Sequence, residues 1–189
     1  FVYAEVNGLS LKARSYRPKT DDVLPALVDV HGGAWNLYDR TAGELYNRAL
    51  ASAGLYVLAI DFRQGPTYQH PLASRDVTSA VRYLRKHAKQ LNIDANSIGL
   101  VGSSSGGHLA MLAAVQPNAS KHLGTPIMHD NGQSLLADEI SAAVRYVIAL
   151  WPVSDPLYRY NYAKQTNRSR LVTAHDSYFV TTDNMAAAS

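Results

Sequence analysis

Apolar runs alternate with segments of helical periodicity along most of this 189-residue chain. Residues 76–91 place Val, Ala and Leu on one helical face and basic side chains on the other, which predicts an amphipathic helix. A second predicted helix, 44–53, ends at Gly54, a common stop signal. Apolar runs typical of parallel strands covered on both faces occur at 26–30, 55–60, 97–101 and 143–150. This alternation predicts a parallel α/β sheet with functional loops at the carboxyl ends of its strands.

The beginning of the chain predicts a β-hairpin. Strand-like alternation at 2–6 and 11–16 flanks Asn7-Gly8, a typical hairpin turn. Because the alternation starts at the first residues, with neither a methionine nor a leader, we expect the chain to be trimmed at its front end.

The most informative segment is residues 98–115. An apolar strand leads into Gly-Ser-Ser-Ser-Gly at 102–106, and an apolar helix follows at 109–115. This strand–turn–helix context is typical of a nucleophile elbow, whose turn is so tight that side chains at the two glycines would collide with backbone. The central residue lies at a helix N-terminus, where the helix dipole and free N–H groups favour negative charge. We therefore predict Ser104 as a catalytic nucleophile.

A second glycine-rich loop follows the predicted strand 26–30. Residues 31–35 are His-Gly-Gly-Ala-Trp, a pattern typical of the oxyanion-hole loop of esterases and lipases. Side chains on Gly32 and Gly33 would fill the space that a substrate carbonyl needs. We predict an oxyanion hole from Gly32, Gly33, Ala34 and the N–H group of Ser105.

Taken in this order, the two motifs resemble the α/β-hydrolase superfamily, and within it the carboxylesterase branch related to hormone-sensitive lipase. The resemblance covers most of the chain, through residues 31–35, Asp-Phe-Arg at 61–63, the helix near Asp76, residues 102–108, and Trp-Pro-Val-Ser-Asp-Pro at 151–156. It implies an α/β-hydrolase core over 1–189 with a cap segment at about 153–189. It also implies ester hydrolysis by a Ser–Asp/Glu–His triad without a metal. Kynurenine formamidases and some feruloyl or acetyl-xylan esterases are similar neighbours.

The acid and the histidine of the implied triad are not evident in the sequence. In this fold they follow the serine in the order acid, then histidine. Only 85 residues follow Ser104, and none predicts a strand ending in an acid, then a helix and a loop histidine. We therefore expect a mostly parallel sheet, flanked by helices, whose last strands are missing from this chain. The acid and histidine are then on a second polypeptide or absent. The remaining carboxylates are interpreted as loop or cap residues, namely Asp155, Asp176 and Asp183.

None of the histidines after the elbow is a strong candidate for the base. His108 is four residues along the nucleophile helix and cannot turn back to Ser104. His122 and His129 fall in a predicted polar loop at 121–134, and His175 falls in the cap segment.

Several other residues near the motifs have a structural and a functional interpretation. His31 is expected to brace the oxyanion loop. Trp35 either lines the substrate pocket or packs at the end of the loop. Asp61 and Arg63 are interpreted as a structural ion pair or turn brace, and the alternating tyrosines of 156–163 as cap residues near the substrate.

The composition of the chain limits the kinds of partner that it can bind. The chain is 47% hydrophobic and 17% charged, as expected for a globular domain, and its net charge of +3 comes from scattered residues. We therefore predict no nucleic-acid partner. No apolar run approaches the roughly 20 residues that cross a membrane, so no membrane partner is predicted either. The absence of cysteine excludes disulfides and thiolate chemistry within the chain, and no motif predicts a cofactor or metal.

The predicted function is a serine carboxylesterase that hydrolyses a small carboxylic ester through an acyl-enzyme on Ser104. An amidase or formamidase of the same fold has the same motifs and stays open. So do a non-catalytic relative that binds a small ligand and a fragment whose sheet edge pairs with another chain. The sequence does not specify the acyl group, the alcohol, the oligomeric state or the cellular location.

Overall fold

A computed structural model describes all 189 residues, which form eight β-strands, seven α-helices and one 3-10 helix at Ser120–His122. The strands are β1 (Val2–Val6), β2 (Leu9–Tyr16), β3 (Leu24–Val30), β4 (Tyr56–Ile60), β5 (Ile93–Ser103), β6 (Ile127–Met128), β7 (Ser134–Leu135) and β8 (Tyr146–Leu150). The α-helices are α1 (Glu44–Ser52), α2 (Leu72–Lys86), α3 (Ala88–Leu91), α4 (Ser105–Val115), α5 (Pro156–Gln165), α6 (Ser169–Phe179) and α7 (Thr182–Ala186).

The strands form one mixed sheet in the order β7-β6-β1-β2-β4-β3-β5-β8. Strands β4, β3, β5 and β8 are parallel, as the apolar runs predict, and they carry both glycine-rich loops at their carboxyl ends. The other half is antiparallel. It consists of the predicted hairpin and of β6 and β7, which lie in the segment predicted as a polar loop. Pairing of Ala4 with Ile127 extends the sheet there, and the Ile127 side chain is buried. The polar residues that surround Ile127 in sequence did not indicate this strand.

Most predicted elements are confirmed, with shifted boundaries. The helix predicted at 76–91 begins earlier, at Leu72 after Pro71, and is interrupted at His87. The His87 ring donates from Nδ1 to the Tyr83 carbonyl oxygen at 2.9 Å, next to the break between α2 and α3. The strand before the elbow is longer than predicted, because β5 pairs with β3 as far back as Ile93.

Apolar side chains fill both faces of the parallel half. Leu58 and Ile60 of β4 join a core of 32 buried residues that includes residues of α2 and α4. Val57 and Ala59, which alternate with them along the strand, pack on the opposite face with Ala51 of α1. Side chains alternate between the two faces of a strand, so a strand covered on both faces must be apolar throughout. Burying each such aliphatic side chain contributes about 1.5–3 kcal/mol.

Helix α6 packs against the loop after β3, and α5 and α7 pack on α6. The Tyr178 ring at the end of α6 is parallel to the Trp35 indole at a centroid distance of 5.6 Å. Phe179 contacts the same indole edge-on at 5.0 Å. Whether these helices act as a cap stays a prediction at this point. None of the helices combines the length and the apolar character needed to cross a membrane.

Candidate active site

Ser104 lies at the tight turn between β5 and α4, with φ 53° and ψ −120°. A non-glycine residue adopts this backbone region rarely, at a cost of about 1–3 kcal/mol that surrounding contacts must offset. Three backbone hydrogen bonds hold the turn. The Ser104 N–H group donates to the Leu150 carbonyl oxygen at 2.9 Å, and the Ser104 carbonyl oxygen accepts from His108 and Val153 at 3.1 and 3.2 Å. The turn therefore presents the serine at the carboxyl edge of the sheet.

Glycines on both sides of the serine leave room for this turn. A Cβ atom on Gly102 would lie 2.9 Å from the Gly107 nitrogen, and one on Gly106 would lie 2.7 Å from the His31 carbonyl carbon. Both separations are closer than any tolerated contact. The predicted steric demand for glycine at these two positions is confirmed.

The loop after β3 follows an unusual backbone path. Gly33, Ala34 and Trp35 have consecutive positive φ angles of 106°, 53° and 63°. A Cβ atom on Gly33 would lie 2.9 Å from the Tyr38 ring, so only glycine is accommodated there. The N–H groups of Gly32, Gly33 and Ala34 donate to no atom of the chain. N–H groups without a partner are able to donate hydrogen bonds to an anionic oxygen.

The structure brings this loop against the elbow. A Cβ atom on Gly32 would lie 3.5 Å from the Ser104 Cβ atom and 3.1 Å from the Ser103 carbonyl oxygen. The Trp35 N–H group donates to Ser105 Oγ at 3.1 Å, which ties the loop to the first turn of α4. Ser105 is also the first residue of α4, and the first N–H groups of a helix have no partner within it.

A cavity of about 320 Å³ opens beside Ser104. Its walls come from the loop after β3, the start of α1 and the elbow, namely His31, Gly32, Gly33, Tyr38, Ala42, Gly43, Tyr46, Ser103 and Ser104. Trp35, one predicted pocket residue, is not among them. Its indole is fully buried between the loop and α6, because the positive φ angles turn it away from the cavity and into the core. Of its two interpretations, packing is the one that the structure supports.

His31 is buried at the start of the loop. Its Nδ1–H group donates to the Gly32 carbonyl oxygen at 2.7 Å, and its ring stacks on Phe62 at 4.4 Å. Burial lowers the pKa of His31, which favours the neutral ring. These contacts agree with the expected role as a brace for the loop.

The predicted ion pair between Asp61 and Arg63 is wrong, because each side chain forms an ion pair with a different residue. Asp61 accepts from Arg40 Nη1 at 2.6 Å, near the protein surface. Arg63 donates to Asp76 at 2.6 Å, where the Asp76 carboxylate is fully buried. Thr125 also donates to Asp76, at 3.0 Å. The two pairs attach the segment after β4 to the loop before α1 and to α2.

None of the seven histidine side chains makes a hydrogen bond to the Ser104 hydroxyl. The His108 ring accepts from Trp35 Nε1 at 3.2 Å and donates to the Ala188 carbonyl oxygen at 2.9 Å. His122 and His175 donate from Nδ1 to the carbonyl oxygens of residues 116 and 171. Ring nitrogens of His70 and His129 are buried without a partner.

The carboxylates after the elbow also lie away from a triad geometry. Asp155 caps α5, accepting from the Tyr158 N–H group at 2.7 Å. Asp176 and Asp183 occupy exposed positions on α6 and α7. No group of three His, Asp or Glu side chains in the chain is arranged to hold a metal ion.

The sequence motifs did not predict one polar cluster beside the cavity. Asp29 of β3 accepts hydrogen bonds from Tyr46 and Asn47, two neighbouring residues on α1. A lone acidic residue within an otherwise apolar strand is the only sequence feature that indicates it.

The fold and the paired glycine-rich loops define an α/β hydrolase, and comparisons with known proteins support this class. The family model BD-FAE matches residues 15–187. The chain therefore belongs to the BD-FAE family.

Curated relatives and solved structures agree with this assignment. Ethyl acetate hydrolase of Pseudomonas putida is 36% identical over 124 residues, covering 64% of this chain and 39% of that protein. Arylesterase of Saccharolobus solfataricus is 32% identical over 120 residues, which cover 62% and 39% of the two chains. Propionate-bound esterase 2 of Thermogutta terrifontis has a TM-score of 0.67 at 26% identity, covering 81% of this chain and 54% of that chain. The chain thus spans about two fifths of these two curated relatives and about half of that structure. The predicted relationship to carboxylesterases is confirmed.

Proposed function

We propose that this protein is a serine carboxylesterase that hydrolyses a small carboxylic ester through an acyl-enzyme on Ser104. The observation that carries the proposal is the strained Ser104 turn facing a loop with three unbonded N–H groups. Relatives of this chain include proteins named ethyl acetate hydrolase and arylesterase.

In the proposed mechanism, Ser104 Oγ attacks the ester carbonyl carbon while a histidine accepts its proton. The carbonyl oxygen becomes an oxyanion, and N–H groups of Gly32, Gly33, Ala34 and Ser105 lie on the loop and helix that surround it. Each such donor usually contributes about 2.7–4 kcal/mol to lowering the barrier. The alcohol leaves with the proton, and water then releases the acid from the serine.

We further propose that the histidine and the acid come from outside these 189 residues, on a second polypeptide or a further part of the protein. No histidine ring within the chain hydrogen-bonds the Ser104 hydroxyl, and five of the seven rings donate to backbone carbonyl oxygens instead. Strand β8 ends the sheet order, so its outer edge is free to pair with another strand. Under the same proposal, helices α5 to α7 are the cap segment of about 153–189.

The substrate is proposed to be a short ester. The cavity beside Ser104 has a volume of about 320 Å³, near the lower end of the range for small-molecule sites. Esterase 2 of Thermogutta terrifontis, a similar protein, has been solved in propionate-bound and butyrate-bound forms.

Covalent labelling tests the nucleophile directly. A fluorophosphonate requires an activated serine, so the protein should gain one adduct, located on Ser104 by peptide mass spectrometry. Ser104→Ala should abolish the adduct, whereas Ser103→Ala, the matched change at the adjacent cavity residue, should retain it. An unlabelled wild-type protein, tested with the part that supplies the histidine and the acid present, would overturn the proposal and favour the non-catalytic ligand-binding relative.

Hydrolysis assays separate the remaining alternatives. We expect turnover of 4-nitrophenyl acetate to fall at least about a thousandfold in Ser104→Ala, as with other serine nucleophiles. Faster turnover of the matched anilide or formamide than of the ester would favour the amidase or formamidase interpretation.

A further inference from the structure

The Asp29 carboxylate is buried beneath the cavity wall. Only 1% of the residue is exposed, and no cationic side chain pairs with it. It accepts from the Tyr46 hydroxyl at 2.5 Å and from Asn47 Nδ2 at 2.6 Å. Burying a carboxylate without a cation costs free energy. These two hydrogen bonds offset part of that cost.

The Tyr46 hydroxyl lies next to Gly43 at the wall of the cavity. Both Gly43 and Tyr46 border the cavity that contains Ser104. A Cβ atom on Gly43 would collide first with Tyr46 Cζ and the Tyr46 hydroxyl, and next with Asp29 Oδ2 at 2.7 Å. Glycine at this position therefore allows the phenol tip and the carboxylate behind it to approach the cavity wall closely.

The direction of the Tyr46–Asp29 hydrogen bond determines what the phenol oxygen can offer. Burial first, and then the negative charge of Asp29, raise the pKa of the Tyr46 phenol, so it stays protonated at working pH. A carboxylate can only accept, so the hydroxyl proton points to Asp29. The remaining lone pairs of the phenol oxygen are left to accept a hydrogen bond from a molecule in the cavity.

We propose that Tyr46, oriented by Asp29, is a specificity-determining residue that selects esters with a hydroxyl group on the acyl or alcohol part. The phenol oxygen accepts a hydrogen bond from that hydroxyl while the ester carbonyl lies at Ser104. Asp29 is a positioning residue, because it acts only through the Tyr46 proton. This inference rests on the proposed esterase function.

The test compares matched esters in the wild-type protein and in Tyr46→Phe. Ethyl glycolate places a hydroxyl on the acyl part and 2-hydroxyethyl acetate places it on the alcohol, and ethyl acetate lacks both. We expect the wild type to prefer one hydroxylated ester in kcat/KM over ethyl acetate. Tyr46→Phe should reduce that preference about three- to tenfold, as for loss of one neutral hydrogen bond. If neither preference changes, the inference is overturned.

Asn47→Ala is the control for general disruption. It also deprives Asp29 of one hydrogen bond, but Asn47 is fully buried and does not border the cavity. It should reduce the preference for the hydroxylated ester less than Tyr46→Phe does, because the Tyr46 phenol keeps its hydrogen bond to Asp29. An equal reduction in both variants would mean that distortion around Asp29 explains the effect, which would overturn the inference.

A binding measurement separates failure of this inference from failure of the proposed function. Ligand-detected NMR with Ser104→Ala measures the dissociation constants of the same three esters without turnover. If the wild type hydrolyses no ester, the esterase proposal fails. The subsite still stands if Ser104→Ala binds a hydroxylated ester more tightly than ethyl acetate and Tyr46→Phe removes that difference. Equal binding of all three esters would overturn it.

Discussion

The indole N–H group of Trp35 donates to Nδ1 of His108 at 3.2 Å, joining the loop after β3 to the helix that follows Ser104. Because the indole can only donate, His108 must be neutral with its proton on Nε2, and that proton is donated to the Ala188 carbonyl oxygen at 2.9 Å. The buried His108 ring thus connects the predicted oxyanion loop, helix α4 and the residues that follow α7. The arrangement explains why a histidine next to the elbow is not available to Ser104.

Stability should fall on acidification because of His108. Burial lowers its pKa from 6.5 to about 4 in the folded protein, so between these values the unfolded chain binds more protons. The free energy of unfolding therefore decreases as the pH falls from about 6.5 to 4, and His108 contributes about 2–3 kcal/mol of that loss between pH 7.5 and 4.5.

Urea denaturation at pH 7.5 and 4.5 measures this contribution. His108→Gln should be less stable than the wild type at pH 7.5, yet lose about 2–3 kcal/mol less on acidification. Equal losses in the two proteins would show that other groups cause the pH dependence.

Gly106→Ala should destabilise the protein although alanine is the better helix former. The helix propensity favours alanine by about 1 kcal/mol. The added Cβ atom would lie 2.7 Å from the His31 carbonyl carbon and collide with the carbonyl oxygens of Val30 and His31. Backbone atoms cannot rotate away, so we expect a net loss of about 3 kcal/mol or more in the free energy of unfolding.

Gly107→Ala, one residue further along α4, is the control for this change. Its Cβ atom would meet the Gly102 carbonyl oxygen and Pro152 Cβ at 3.0 Å, contacts that a small shift can relieve. Thermal unfolding should rank Gly107→Ala above Gly106→Ala in stability. The reverse order would contradict the steric account of the elbow.

The two ion pairs after β4 should differ in their contribution to stability. Asp76→Asn leaves Arg63 with only 8% of its side chain exposed and without a carboxylate, which should cost about 3–5 kcal/mol. Asp61→Asn breaks a pair whose side chains are 28% and 23% exposed, so solvent screening should limit the loss to about 1 kcal/mol. Chemical denaturation of both variants gives the comparison, and similar losses would argue against burial as the deciding factor.

Asp155→Asn distinguishes a helix cap from a catalytic acid. Asparagine caps helices about as well as aspartate, so the α5 cap should survive and ester hydrolysis should be unchanged. Asp155→Ala should cost about 1 kcal/mol of stability through loss of the cap. A fall of about ten-thousandfold in kcat for Asp155→Asn, as when a triad acid is neutralised, would instead identify Asp155 as the missing acid.

Local signals account for the features that the sequence predicted well. The run 55–60 predicts β4 because a strand covered on both faces needs apolar side chains throughout. The elbow glycines are predictable because the clash that excludes other residues involves backbone only a few positions away, or the neighbouring strand. The pairing of β6 was harder to predict, because a contact distant in sequence stabilises it.

The hydrogen-bond and ion-pair partners of polar side chains could be identified only from the folded structure. Arg63 and Asp76 are 13 positions apart, and the sequence did not distinguish this pair from a pairing of Arg63 with Asp61. Asp29 and Tyr46 are 17 positions apart, and no motif connects them. Their proximity depends on how α1 packs against the sheet.

The sequence by itself determined the class of fold, the tight turn at Ser104 and the glycine-rich loop that faces it. These depend on hydrophobic periodicity and backbone sterics, which act over a few residues and are therefore written into short segments. Only the tertiary structure decided that Trp35 packs beside His108 and away from the cavity, and that Tyr46 borders it. Both outcomes depend on the packing of helices against the sheet, where side chains far apart in sequence satisfy one another's hydrogen bonds.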